Sequence, residues 1–325
     1  YVYMNGKSEE AIRDAVVKRY PRESFQLATK MPLHPIKEYA DYQPIFDTSL
    51  ERTQAGYFDF YLLHALNRES SKKAEETGGW EFVQEMKKKG LVKHAGFSFH
   101  DSAEALEEIL SRHPEAEFVQ LQINYADWES EDVQSRACYE VCMKHGKPVI
   151  IMEPVKGGSL AMMHPSIAKP MTDYAPDKSI ASWAIRYCAS LPGLITVLSG
   201  MSNEEQMNDN LNTMADFKAL TEEEYAILGK VVEGIKEAAA IPCTACRYCV
   251  SECPKNIPIP DYFELYNAQK QEIEKPFTVE EVHYEALADR YSKASDCIEC
   301  KKCSKICPQH LNVPKYLKRV AELFE

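Results

Sequence analysis

The chain has 325 residues, is 45% hydrophobic, and carries 50 Asp and Glu against 38 Lys and Arg, a formal charge of −12. That is enough apolar material for a large core and a smaller second domain. The negative balance argues against a nucleic-acid surface, which needs clustered cations. No segment combines the length and apolarity of a membrane-spanning helix, so no membrane partner is expected.

Between residues 8 and 232, short apolar runs alternate with amphipathic stretches. Ser8 opens a helix whose Ala11, Ile12, Ala15 and Val16 share a face. Strands are predicted at 25–29, 58–64, 92–99, 118–124, 148–153 and 194–198. Helices are predicted at 45–54, 80–89, 133–145 and 179–189. Asp101 with Glu104, Ser202 with Glu205, and Thr221 with Glu224 read as capping pairs of three more, the last running to about Ala240. The stretches 32–44, 66–79 and 155–176 read as variable loops.

Strict alternation implies right-handed crossovers and a parallel sheet covered on both faces. A doubly wound sheet and a closed barrel both satisfy that rule. No G-x-G-x-x-G follows any strand, which weakens the dinucleotide-binding doubly wound reading. Six strands are two short of a closed (β/α)8 barrel.

Beyond Pro242 a cysteine pattern occurs twice. Cys243, Cys246, Cys249 and Cys253 precede Pro254 at C-x2-C-x2-C-x3-C spacing, and Cys297, Cys300, Cys303 and Cys307 repeat it before Pro308. Three thiolates so spaced line one side of a loop around a cubane, and the fourth of each run serves the other cluster. The expected sets are Cys243, Cys246, Cys249 and Cys307 around one [4Fe-4S] cluster, and Cys297, Cys300, Cys303 and Cys253 around the second. Structural zinc is the remaining alternative, although it usually takes two separated C-x2-C pairs.

The trailing motifs PKNIPIP and PQHLNVP, each leading into a helical stretch from Asp261 or Lys315, mark a duplicated unit. A third helix is predicted at 278–293. The expected organisation is the alternating strand and helix unit over 1–240 and an α-helical two-cluster ferredoxin-like domain over 241–325. Cys138, Cys142 and Cys188 read as buried thiols on helices. Free thiols beside oxygen-sensitive clusters suggest a reducing cytoplasm.

Three predicted strand ends carry polar residues, Lys30, His64 and Ser98, at the barrel end where active sites form. These segments resemble the aldo-keto reductases, specifically members that carry a C-terminal two-cluster domain. Tyr1-Val2-Tyr3 resembles the end of the strand motif with the catalytic Tyr, which falls on Tyr3. LATK and FYLLH resemble the strands ending in the catalytic Lys and His, at Lys30 and His64. GFSFHD is similar to the GVSNF element, with Ser98 on its Ser and Phe99 in place of its Asn.

Gln120 falls on the Gln that holds the nicotinamide carboxamide, and SGMSNEEQMNDNL resembles the segment around the adenosine half, supplying Gln206, Asp209 and Asn210. The resemblance implies an NAD(P)(H)-dependent oxidoreductase interconverting a carbonyl and an alcohol by hydride transfer, with a Tyr as acid or base. The resemblance also implies a (β/α)8 TIM-type barrel over 1–240, whose first two strands and catalytic Asp would precede Tyr1 in roughly fifty further residues of the native protein. The family's stacking aromatic corresponds to Met152, and its 2′-phosphate cations fall on Gly200 and Gln206, so NADP is not favoured over NAD.

Nicotinamide passes two electrons and each cluster passes one, which calls for a flavin between them, and no flavin site is readable. The clusters therefore serve a redox partner protein, a bound flavin or the fold alone. The alternative reading is an iron-sulfur electron-transfer protein whose barrel is a scaffold or docking body. Lys301, Lys302 and Lys305 would then offer a docking face.

Overall fold

The computed structural model describes residues 1–130, 133–238, 241–271 and 279–325. It contains the six expected strands, β1 (Ala28–Met31), β2 (Phe58–Leu66), β3 (Val92–Phe99), β4 (Phe118–Gln122), β5 (Val149–Met152) and β6 (Leu194–Val197). They form one sheet in sequential order, every neighbouring pair parallel. Before β1 lies α1 (Lys7–Ile12), and the connections carry α2 (Tyr42–Thr53), α3 (Arg68–Thr77), α4 (Gly79–Lys88), α5 (Ala103–Arg112), α6 (Ser135–Lys144), α7 (Pro165–Tyr174) and α8 (Ile180–Ala189). After β6 come α9 (Glu204–Ala215) and α10 (Glu222–Ala238). This is the α/β architecture of a TIM-type barrel, and among the described residues the segment from 241 contains helices and no strand.

The chain folds into two compact units. The first comprises Tyr1–Gln122, Gln134–Met152 and Pro192–Leu198, with the whole sheet and α1–α6. The second comprises Ile123–Val133, Glu153–Leu191 and Ser199–Glu325, with α7–α10 and the cysteine-rich segment. That segment holds α11 (Tyr248–Glu252), α12 (Ile259–Gln271), α13 (Val279–Ala288), α14 (Lys302–Ile306) and α15 (Val313–Phe324). The expected boundary at 240/241 touches residues 239–240, and the start of the helix predicted at 278–293 falls on residue 278. Both lie outside the described residues.

Strand register explains how the sheet positions polar groups. Leu62, Gly96 and Phe118 pair in turn across β2, β3 and β4, and Leu62 and Phe118 pack with Ile150 of β5 in one buried cluster. Two residues further along each strand the same face recurs. It carries His64, Ser98, Gln120 and Met152. An apolar layer thus supports a polar one toward the C-terminal strand ends. Gly96 is required by this packing, because a Cβ there would clash with the Phe118 carbonyl oxygen and meet its ring at 2.8 Å. Gly96→Ala should lower stability by about 1–3 kcal/mol, read as a lower urea midpoint. An unchanged midpoint would show that β3 and β4 can part at no cost.

Several elements differ from expectation. The first strand starts at Ala28, not residue 25, because Arg22 donates to the Phe25 carbonyl and Asp59 accepts from the Leu27 N–H. Side chains there satisfy backbone groups that a longer strand would have paired. The stretch 66–79 holds α3, which buries only Ser71 and Ala74 and so shows no apolar stripe, and Asn67 caps it. The stretch 155–176 holds α7, which starts at Pro165 and tolerates Pro170 inside. Two caps move by one residue: Ser102, not Asp101, caps α5, and Asn203, not Ser202, caps α9. The Thr221–Glu224 pair forms as expected, with reciprocal bonds of 2.9 and 3.2 Å. Cys138, Cys142 and Cys188 are buried, and burial pushes all three thiols up, Cys138 to about 12. Such thiols are inert at neutral pH.

Candidate functional site

In the first unit, Tyr3, Lys30 and His64 meet. Lys30 Nζ donates to Tyr3 Oη at 3.2 Å, and that oxygen lies 3.0 Å from His64 Nε2. Lys30 pairs in register with Leu62, one layer below His64, and its four-carbon stem spans the difference. It is followed by Met31, and His64 by Ala65 and Leu66, so both lie just inside their strands. Burial pushes Lys30 down to about 8. Burial, then the nearby Lys30 and His100, pushes His64 down to about 3. At neutral pH the imidazole is therefore neutral, and one ring nitrogen can donate while the other accepts.

The strand carrying His64 is irregular at that point, its register shifting between Leu63 and Leu66. Ala65 takes a left-handed φ of +55° and its N–H donates to the buried Ser98 Oγ at 2.8 Å. A bulge of this kind re-aims a side chain, and here it sets the direction of His64. No local sequence signal marks Ala65.

Gln120 is buried and donates to Met152 Sδ at 3.0 Å, and it shares with Tyr3 and Lys30 a cavity of about 680 Å3 that also reaches Glu9, Thr29 and Leu198. Gln206, Asp209 and Asn210 belong to the second unit, on α9. Gln206 accepts from the Ser202 N–H, Asp209 from Ser179, the cap of α8, and Asn210 donates to Ser199.

The second unit brings the cysteines together in two sets. Cys243, Cys246, Cys249 and Cys307 line one pocket of about 330 Å3, and Cys253, Cys297, Cys300 and Cys303 another of about 300 Å3. The backbone around them is duplicated as closely as the sequence. Left-handed residues occur at Ala245 and Glu299 (φ +53° each), Arg247 and Lys301 (+65° and +60°), and Asn256 and His310 (+54° and +50°). Such alternation turns successive N–H groups inward, forming the concavities that hold anions and iron-sulfur clusters.

The Ala245 N–H donates to Cys243 Sγ at 3.5 Å. Burial pushes the Cys243 thiol up to about 11 and Cys249 to about 12, so ligation must displace protons. Among the described residues no three His, Cys, Asp or Glu converge tightly enough for one metal ion. Four thiols around each pocket, with no three close enough for one ion, suit a cubane better than a zinc ion 2.3 Å from each sulfur. Gln309, in the first pocket's lining, accepts from Lys156, a residue that carries no sequence signal beyond its place in a Gly-rich loop.

The family model described as "Aldo/keto reductase family" matches residues 1–233, and that described as "4Fe-4S dicluster domain" matches 242–313. Among curated proteins, an uncharacterised oxidoreductase of Bacillus subtilis is 24% identical over 70% of this chain and 79% of its own length. A component of an ion-translocating oxidoreductase complex of Buchnera aphidicola is 32% identical over 74 residues, 23% of this chain and 12% of that protein.

Among solved structures, an aldo/keto reductase of Klebsiella pneumoniae in complex with NADP and acetate has a TM-score of 0.54 at 21% identity, covering 71% of this chain and 77% of its own. The holo form of a Bacillus halodurans aldo-keto reductase has a TM-score of 0.55 at 22% identity, covering 71% and 80%. No helix among the described residues is long and apolar enough to cross a membrane. With a sequential parallel sheet, a family model spanning most of the chain and a duplicated cysteine unit behind it, the chain is an oxidoreductase that belongs to the aldo/keto reductase family and carries a C-terminal 4Fe-4S dicluster domain.

Proposed function

We propose that the protein interconverts an aldehyde or ketone with its alcohol, with Tyr3 as the proton donor and acceptor. The observation that carries this reading is the single oxygen of Tyr3 lying 3.2 Å from an ammonium and 3.0 Å from a neutral imidazole. A cation donating to a phenol oxygen stabilises the charge left when its proton departs. Lys30 therefore makes Tyr3 a better acid toward a carbonyl oxygen and, in the reverse direction, a usable base. His64, neutral and aimed by the bulge, orients that oxygen by a hydrogen bond.

A bound nicotinamide supplies the hydride, as the NADP complex of the Klebsiella neighbour suggests. Ser98 and Gln120, in the same polar layer, would hold its nicotinamide end, and Gln206, Asp209 and Asn210 its adenosine end. The two cysteine sets would hold two [4Fe-4S] clusters, one-electron carriers suited to a redox partner protein. The native organisation we infer is a reductase over 1–240 and a two-cluster domain over 241–325, acting in the cytoplasm.

The pH profile tests the assignment. With NADPH and a saturating aldehyde, kcat should be level through pH 6.5, because His64 stays uncharged down to about 3. It should fall above pH about 8, approaching tenfold per unit, as Lys30 loses the proton it donates to Tyr3. A limb near pH 6.5, or a profile level to pH 10, would contradict these roles.

A further inference from the structure

Lys156 lies in the segment after β5, within the second unit, and its side chain is 12% exposed. Its ammonium pairs with the Asp127 carboxylate and donates to Gln309 Oε1 at 2.9 Å. Asp127 is fixed in turn, its N–H donating to Asn124 Oδ1 at 2.9 Å and its carboxylate accepting from Asn124 Nδ2 at 2.8 Å. Asn124 also donates to the Glu153 carbonyl, and Glu153 Oε2 accepts from the Gly157 N–H at 2.7 Å. Gly157 has φ +62°, and a Cβ on it would stand 3.0 Å from the carbonyl oxygen of Thr244, the residue after Cys243.

Gln309 is 4% exposed, lies two residues beyond Cys307 and lines the pocket of Cys243, Cys246, Cys249 and Cys307. The positive end of the Lys156–Asp127 pair therefore faces this pocket. Neither pocket's lining includes a residue of the segment 153–160, and Lys156 reaches the first through Gln309, whose counterpart in the lining of the other pocket is Lys255.

We propose that Lys156, held by Asp127 and Gln309, is a positioning residue that raises the reduction potential of the cluster in the Cys243, Cys246, Cys249 and Cys307 pocket. This rests on the two-cluster reading given above. Local charge and hydrogen bonding near the sulfurs are among the terms that set such potentials. Reduction adds one negative charge to the cluster. A nearby cation favours that step, and a nearby carboxylate left without its partner opposes it.

The test is a redox titration of the anaerobically reconstituted full chain, followed by EPR and visible absorption, with iron content measured for each variant. Lys156→Gln should make one of the two reduction steps harder by about tenfold in its equilibrium, ~59 mV for one electron. Asp127→Asn should shift the same step in the opposite direction, and neither should move the other step. Iron-replete variants with unchanged potentials, shifts of the same sign, or equal shifts in both steps would overturn the proposal. Loss of iron from both variants would do so as well, by showing a staple and not a tuner. A wild-type chain that takes up zinc in place of iron would remove the cluster reading itself, and this proposal with it.

Discussion

Tyr3→Phe should lower kcat for carbonyl reduction by ~100- to 10,000-fold and leave KM nearly unchanged. The substitution removes one oxygen, and that oxygen is the atom bonded to both Lys30 and His64. The ring itself remains. Its centroid sits 5.5 Å from the His64 ring and 5.1 Å from Lys30 Nζ, contacts that Phe can keep. A fall in activity would then report lost proton transfer and not lost structure, which circular dichroism and the unfolding midpoint can verify.

Because the three groups act as a unit, Tyr3→Phe combined with Lys30→Met should be little worse than either alone. His64→Gln keeps a group able to hydrogen-bond and should lose less. Carbonyl reduction at the wild-type rate by Tyr3→Phe would end the assignment of Tyr3 as acid and base. Simple aldehydes and ketones with NADPH or NADH suffice as probes, since the comparison is between variants on one substrate.

Cys307→Ala should remove one cluster and halve the iron bound, and it should remove the same cluster as Cys249→Ala. The two cysteines come from different runs but line one pocket. Conversely, Cys253→Ala should act with Cys303→Ala, its companion in the other pocket. Combining Cys249→Ala with Cys307→Ala should cost no more iron than one substitution. Combining Cys249→Ala with Cys253→Ala should cost all of it, although both belong to the first run.

Iron analysis and EPR of anaerobically reconstituted variants distinguish these outcomes, and removal of one cluster by both Cys303→Ala and Cys307→Ala would rule out the crossed arrangement. Loss of metal should also loosen the segment. Cys249 and Cys303 are built into its core with Tyr262, Phe263, Tyr284 and Leu317. Ligand binding energy there is also folding energy. The variants should therefore be cleaved faster by protease within 241–325.

Much of the architecture was legible because its signals are local. Each strand is a short apolar run between turn residues, and β2 and β3 stand out by that rule alone. Cysteine spacing states ligand geometry almost directly, since the loop must bring its sulfurs to one cluster within a few residues. Helices lacking an apolar stripe were not legible. The few buried residues of α3 and the prolines of α7 leave no periodicity to read.

Lys30, His64 and Ser98 could be placed at strand ends from the sequence, and Tyr3 from its resemblance to a family motif. What the sequence by itself determined was therefore the order of the elements, the duplicated cysteine loops and the residue types available for proton transfer. Tertiary structure alone decided what those residues touch. It bonds Ser98 to Ala65 across two strands, and so aims His64. It also joins Lys156 to Gln309, 153 positions away, at the wall of one cysteine pocket. Such contacts follow from strand register and loop packing. Those depend on the burial of many distant side chains at once, and no short window of sequence contains them.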